Sequence, residues 1–380
     1  MAAERIRVAV AGLGVIARTV HLPLLERRAD LFEVVAVADL SATRAAELGA
    51  RYGVAPDRRH TDVTALLDAG GFDALLLLTT GSHGELAAAA LRRGIPVLVE
   101  KPLAYTVAET EELARLAAGG ARLMVGYMKQ YDPAVTELRR RLDEIGGAAA
   151  VHAVDVTVLH PSGDAQLAFA HLPPAPADLP AAEVDRLRRA DDALLRAAIG
   201  ADPRARALYQ ILVNSVSHDL SLLRLLTGAP ATVDHVATWR TPAAAGGEPS
   251  VDARGGLPGG ARYAIGWHYL PDYPGYRETV AVHHARGSFE LVFPSPYLLA
   301  APTVLTVLDE RGGVRRRAEF SAGTTGFERQ LVAFHAMVTD GTPPHTGVPG
   351  GTADIATSQR MVRRFGTLAG VAVGGEAAQA

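Results

Sequence analysis

Apolar residues in the first 130 positions fall into short unbroken runs separated by amphipathic stretches. Arg5–Ala11, Phe32–Ala38, Asp73–Leu78 and Ile95–Val99 carry such runs, with little polar alternation. Runs of this length and continuity predict strands buried on both faces of a parallel sheet. Helical stretches lie between them, one starting at Ser41 and an alanine-rich one ending at Arg93. Strands and helices alternating at this rhythm predict right-handed crossovers and a doubly wound α/β domain over residues 1–130. A crossover helix is then expected at Ala134–Ile145.

Beyond it the pattern changes. Ala149–Leu159 alternates apolar with polar positions, as a half-buried strand does. Further strands are expected at Thr232–Trp239, Ala261–Tyr269, Arg277–His284, Gly287–Phe293 and Thr303–Leu308, so residues 131–370 read as a second domain. The Gly/Ala/Pro-rich stretch Thr241–Gly260 is expected to be a mobile loop. Helices at Thr325–Asp340 and Thr352–Leu368 close the chain, with residues 371–380 as a flexible tail. Trp267 opens an aromatic patch running to Tyr276, in a chain only 6 % aromatic. Such a patch suits a wall that stacks on a sugar face, or a buried subunit contact.

Composition narrows the chemistry. A net charge of −3 gives no signature of a nucleic-acid partner. The arginine runs Arg139–Arg141 and Arg315–Arg317 read as solvated faces of a helix and a turn. With no cysteine, disulfides, thiolate catalysis and cysteine-bound zinc are excluded. The 13 histidines include no HExxH spacing, so no metal is expected. The N-terminal apolar stretch is brief and glycine-broken, neither a signal peptide nor a membrane span, which points to a cytoplasmic protein. Of 38 basic residues only Lys101 and Lys129 are lysines. Arginine presents a flat, permanently charged fork, whereas lysine is a compact charge whose pKa a pocket can move. Both lysines follow strand ends.

The first strand runs straight into Gly12-Leu13-Gly14-Val15-Ile16-Ala17, a GxGxxA pattern. Gly12 permits the tight turn, Gly14 lets the backbone approach a pyrophosphate, and Ala17 lets helix and strand pack closely. The helix N-terminus beginning at Val15 and Ile16 offers free N–H groups to phosphate. Asp39 closes the second run, 25 positions after Gly14. A carboxylate there accepts hydrogen bonds from ribose hydroxyls and repels a 2′-phosphate, favouring NAD over NADP. Thr79, Thr80 and His83 follow the third run, and Glu100 and Lys101 the fourth. All lie beyond the carboxyl ends of strands, where such sheets bind ligands, and are assigned to the cofactor.

These residues resemble the Gfo/Idh/MocA oxidoreductase family. The likeness rests on Gly12–Ala17, His21-Leu22-Pro23, Ala38-Asp39, Glu100-Lys101-Pro102-Leu103-Ala104 and Gly126–Pro133 (GYMKQYDP). It implies a C-terminal α/β domain with an open, mainly antiparallel sheet, and NAD(P)-dependent oxidation or reduction of sugars, inositols and related polyols. It places Lys101 beside the nicotinamide and the reacting oxygen, with a Lys–Pro peptide that is often cis. The family's Asp-x3-His signature falls on Asn214 and His218, so the aspartate is replaced by an amide that cannot share a proton. Lys101 and His218 then carry charge and proton, an imidazole titrating near ~6.5 when unperturbed. Asn214, Tyr127, Lys129 and Trp267 are candidate substrate contacts. Residues 161–207 are longer than the family leads one to expect. Val184, Leu187, Leu194, Leu195 and Ile199 form one stripe there, either the packing face of an inserted helix or a lid or subunit contact. A homodimer or homotetramer is expected. Two other functions remain open: a redox-neutral enzyme that recycles NAD while eliminating or cleaving a sugar, and a non-catalytic dinucleotide sensor.

Overall fold

The computed structural model describes residues 4–174, 176–244 and 246–380. The chain forms two compact units, the first made of Met1–Tyr127, Leu172–Leu195 and Gln330–Ile355. Its core is a six-stranded parallel sheet of β1 (Ile6–Ala11), β2 (Phe32–Ala38), β3 (Arg59–His60), β4 (Ala74–Leu77), β5 (Val97–Val99) and β6 (Leu123–Val125), in the order β3-β2-β1-β4-β5-β6. The order reverses beside β1, so the crevice at its carboxyl end is the position where doubly wound sheets take ligands. Val8, Val10, Leu75, Leu76, Val97 and Leu98 are fully buried, which accounts for the unbroken apolar runs. The two-residue β3 is too short to leave a periodic signal.

The expected division at residue 130 is corrected by this arrangement. Val348 and Ile355 join the apolar cluster of Leu103, Val125 and Leu113, burying a face that the Rossmann segment alone would leave to solvent. Thr346 O accepts from Val125 N at 2.9 Å, and Arg122 Nη1 reaches the carbonyls of Met337 and Val338. Part of the insertion, Leu172–Leu195, also belongs to this unit rather than to the second. Asp178 joins it to Ser41 and Thr43, and Asp191 to Ser82.

The second unit comprises Met128–His171, Arg196–Arg329 and Ala356–Ala380. It holds an eight-stranded sheet of β7 (Val151–His160), β8 (His235–Trp239), β9 (Ser250–Gly256), β10 (Arg262–Tyr269), β11 (Arg277–His284), β12 (Gly287–Phe293), β13 (Val304–Arg311) and β14 (Val314–Phe320). The order is β14-β13-β12-β11-β7-β10-β9-β8; every pair is antiparallel except β7 with β10. This is the open, mainly antiparallel sheet that the family resemblance implies.

Three expectations change here. Thr241–Gly260 is not all loop, because Ser250–Gly256 forms β9 with Val251 and Ala253 buried. Arg315–Arg317 lie on the exposed edge strand β14, not in a turn, where charge blunts the unpaired edge. Residues 371–380 are docked rather than flexible: Val371 and Ala377 are buried, Gly374 N donates to Ile199 O at 3.1 Å, and Gln359 Nε2 donates to Glu376 at 2.6 Å. The closing helices span Gly326–Thr339 and Val348–Ala369, the second starting four residues earlier than its periodicity suggests. Among the described residues, no helix is long and apolar enough to cross a membrane.

Candidate active site

In the first unit, β1 ends at Ala11 and the chain turns through Gly12 at φ +91°. A side chain at Gly12 would come within 2.6 Å of the Leu78 carbonyl, so only glycine fits both the conformation and the space. At Gly14 an added carbon would meet nothing within 4 Å, which leaves the approach that a pyrophosphate needs. Helix begins at Val15 and widens to a π turn over Ala17–His21 before Pro23, which lacks the N–H that an unbroken α-ladder would use. The first-turn N–H groups at Val15 and Ile16 have no intrahelical acceptor, as at any helix start.

Asp39 stands just past β2. Its carboxylate accepts from Leu13 N and Ser41 N, each at 2.9 Å, and Arg44 Nη1 lies 3.7 Å away. The acid is thereby tied to the glycine turn. Thr79 lies at the end of β4, and its buried hydroxyl has no hydrogen-bond partner among the described residues. A glycine cradle, an orphaned hydroxyl and an aimed carboxylate suit a dinucleotide. Thr80 is exposed in the same loop.

His83 departs from its expected role. It is almost fully buried, with Nδ1 2.7 Å from Pro102 O and Nε2 2.8 Å from Thr79 O. It ties the loop after β4 to the loop after β5 and so positions Thr79 and Lys101 rather than touching a cofactor. Burial pushes its pKa down, against the opposing pull of those carbonyls.

Glu100 and Lys101 follow β5, and the Lys101–Pro102 peptide is cis. Glu100 is buried, its Oε1 3.0 Å from His21 Nε2. Burial alone would raise this carboxyl; the His21 bond and charge, with Lys101 beside it, hold it below its ordinary value. Lys101 is partly exposed. His21 is a buried neighbour of Glu100 to which sequence reasoning gave no role, although its His-Leu-Pro context was noticed. Tyr127, expected at the substrate, is instead buried in the apolar cluster under β5 and β6.

The second unit holds the proton-handling candidates. One helical stretch runs from Pro203 to Thr227 with a π segment at Leu212–Val216. Asn214 is exposed and His218 half-buried, about one turn apart. Trp267 is corrected from a wall to a brace: it is buried on β10, and its Nε1 donates to Ser215 Oγ at 2.9 Å. His160 and Tyr269 pack against the indole, with ring centroids at 4.9 and 6.3 Å. The indole thus holds the Asn214–His218 segment from the sheet side.

Lys129 also takes a different place. Its side chain is buried between Glu278 and Asp219, bonded to the first and 3.4 Å from Oδ1 of the second. Tyr276 donates to the same Glu278. Burial would lower the lysine's pKa, and the two carboxylates more than reverse that. Burial and the neighbouring Glu278 push Asp219 well up, with Lys129 opposing. The ammonium anchors Asp219, the residue after His218, instead of facing solvent. Asp219, Glu278 and Tyr276 are the members of this cluster that sequence reasoning missed.

Residues 6–127 match the family model GFO_IDH_MocA, described as oxidoreductase family, NAD-binding Rossmann fold. Inositol 2-dehydrogenase 4 of Saccharopolyspora erythraea is 35 % identical over 145 residues, which cover 37 % of this chain and 42 % of that protein. The chain thus spans less than half the length of that curated relative. Two solved structures share the fold at full length. UDP-N-acetylglucosamine 3-dehydrogenase from Acidithiobacillus ferrooxidans has a TM-score of 0.69 at 20 % identity, covering 96 % of this chain and 99 % of the other. A 3-ketoreductase from Actinomadura kijaniata, solved with NADP, has a TM-score of 0.66 at 20 % identity, covering 94 % and 96 %.

Proposed function

We propose, for a chain whose residues 6–127 match the Gfo/Idh/MocA oxidoreductase family, that it transfers a hydride between a nicotinamide cofactor and a carbinol or ketone carbon of a sugar, cyclitol or sugar-like intermediate. The observation that carries this reading is that the Gly12–Ala17 turn, after β1, and the Glu100-Lys101-Pro102 loop, after β5, stand at the same carboxyl edge of one parallel sheet with β4 between them. NAD is the preferred cofactor on this reading, because Asp39 stands where the ribose hydroxyls need an acceptor and a 2′-phosphate would be repelled. When bound, the nicotinamide supplies the hydride acceptor or donor.

The protein's own groups do the rest. The glycine turn and the helix N-terminus hold the phosphates, and Asp39 holds the ribose. As the substrate hydroxyl is oxidised, negative charge gathers on its oxygen; the Lys101 ammonium stabilises that charge. His218 accepts the hydroxyl proton and returns it in reduction. Asn214 donates or accepts a hydrogen bond to a substrate hydroxyl, in place of an aspartate that would share the proton. His21 bonds the buried Glu100 carboxylate, which gives the Lys101 ammonium a negative neighbour.

The reading is tested by following absorbance at 340 nm with NAD and a panel of inositols, sugars and nucleotide sugars in excess. Sustained NADH formation with at least one of them is expected. Product formation without net NADH supports the redox-neutral enzyme instead, and cofactor binding with no turnover on any of them supports the sensor.

A further inference from the structure

Residues 161–207 are the part of the chain that the proposed function leaves unused. Their stretch Leu172–Leu195 packs on the first unit at two places, the loops after β2 and after β4. Those strands flank β1, so the two attachments stand on either side of the glycine turn. At the first, Asp178 Oδ1 accepts from Ser41 Oγ at 2.6 Å and Oδ2 from Thr43 N at 2.8 Å. At the second, Asp191 accepts from Ser82 N at 3.3 Å, beside Gly81, whose φ of +87° and missing side chain leave room for that carboxylate.

The groups that Asp178 engages form a recognisable set. Ser41 caps the helix Ala42–Arg51, its Oγ accepting from Arg44 N at 3.0 Å, and Thr43 N is a first-turn donor of that helix that Asp178 alone takes up among the described residues. Ser41 N is bonded to Asp39, the acid assigned to the ribose. Two guanidiniums surround the corner: Arg44 lies 3.7 Å from Asp39, and Arg18 is near enough for burial and Arg44 to lower its pKa while Asp39 raises it. A hydroxyl, a helix N–H and two arginines beside the ribose acid are the donors that a phosphate monoester takes. Asp178 is exposed and carries a carboxylate into their midst; the Ser41 and Thr43 bonds hold its pKa down to about 2, so it stays charged.

We propose that Asp178 is a specificity residue for the cofactor: an anion supplied by the insertion that takes the Ser41 and Thr43 donors, and so keeps a 2′-phosphate out. Asp39 alone leaves Arg18 and Arg44 as an invitation to NADP; Asp178 withdraws it. The inference rests on the reading that the first unit binds a dinucleotide with its ribose at Asp39.

The test titrates NADH and NADPH by their fluorescence into the full-length protein and its variants D178A, D178N and D178A/R44A. Freeing two donors to a charged phosphate is expected to tighten NADPH binding about 10–100-fold in D178A. NADH affinity is expected to stay within about 3-fold, because its 2′-hydroxyl does not need those donors. D178N, which loses the charge but keeps a side chain over the site, is expected to fall between, and R44A in the double variant to remove most of the gain. Wild-type protein that binds NADH, with an NADPH-to-NADH ratio unchanged in both single variants, overturns this inference alone. Equal loss of both cofactors in D178A also overturns it, since the insertion would then be merely structural. Wild-type protein that binds neither cofactor overturns the dinucleotide reading itself.

Discussion

Lys129 and Lys101 are the same residue type at the ends of neighbouring strands, yet their surroundings differ. Lys129 sits buried between Asp219 and Glu278, whereas Lys101 is partly exposed beside Glu100. Burial together with the neighbouring Glu278 raises the Asp219 carboxyl well above its ordinary value, with Lys129 opposing. The folded state therefore binds a proton at Asp219 more tightly than the unfolded chain, whose carboxyl titrates near ~3.9. Stability then falls as pH rises from about 4 through the folded pKa, each tenfold in native proton affinity amounting to ~1.4 kcal/mol. Asp219→Asn keeps the neutral form at every pH. Urea midpoints compared across pH 4–9 are expected to show a flatter profile for the variant than for the wild type. Parallel profiles would mean that Asp219 is charged in the native state. None of this was legible in the sequence, because the partners of Lys129 lie 90 and 149 residues away. Its strand-end position was legible, and it led to a substrate role that the buried ion cluster displaces.

Secondary structure was legible where burial is two-sided. β1, β2, β4 and β5 are unbroken apolar runs because both faces are covered, and the glycine turn declares itself by its spacing. β9 escaped because Ser-Val-Asp-Ala-Arg-Gly-Gly carries only two apolar side chains to its buried face. β14 escaped because three arginines mask an edge strand whose bonds are all to β13. The insertion showed its helical stripe but not its mooring, since Asp178 finds Thr43 135 residues away. The C-terminal segment is similar: Val-Ala-Val-Gly-Gly reads as a tail, yet Val371 and Ala377 are buried and Gly374 bonds to Ile199. Removing residues 371–380 is expected to cost on the order of 2–4 kcal/mol, mainly from the lost burial of Val371 and Ala377 and the surface they cover. Urea unfolding of the truncated protein measures this; an unchanged midpoint would show the segment to be dispensable.

At the scale of the molecule, the Rossmann fold and its family match were readable from the first 130 residues. The division into units was not. The first unit takes in Gln330–Ile355, from late in the chain, whose Val348 and Ile355 join its apolar cluster, and Leu172–Leu195. Such long-range closure leaves no local periodicity, so the boundary at residue 130 was only the covalent part of the answer. The candidate residues are divided in the same way, with Gly12, Gly14, Asp39 and Lys101 in the first unit and His218 in the second.

The central claim is that Lys101 stabilises charge on the reacting oxygen of a substrate oxidised by NAD. The most direct measurement compares wild type with Lys101→Ala, reading substrate-dependent NADH formation at 340 nm beside NADH affinity by fluorescence. The account predicts a loss of at least about 10²–10³-fold in kcat, with cofactor affinity within about 3-fold of wild type. Turnover undiminished by the substitution would contradict it.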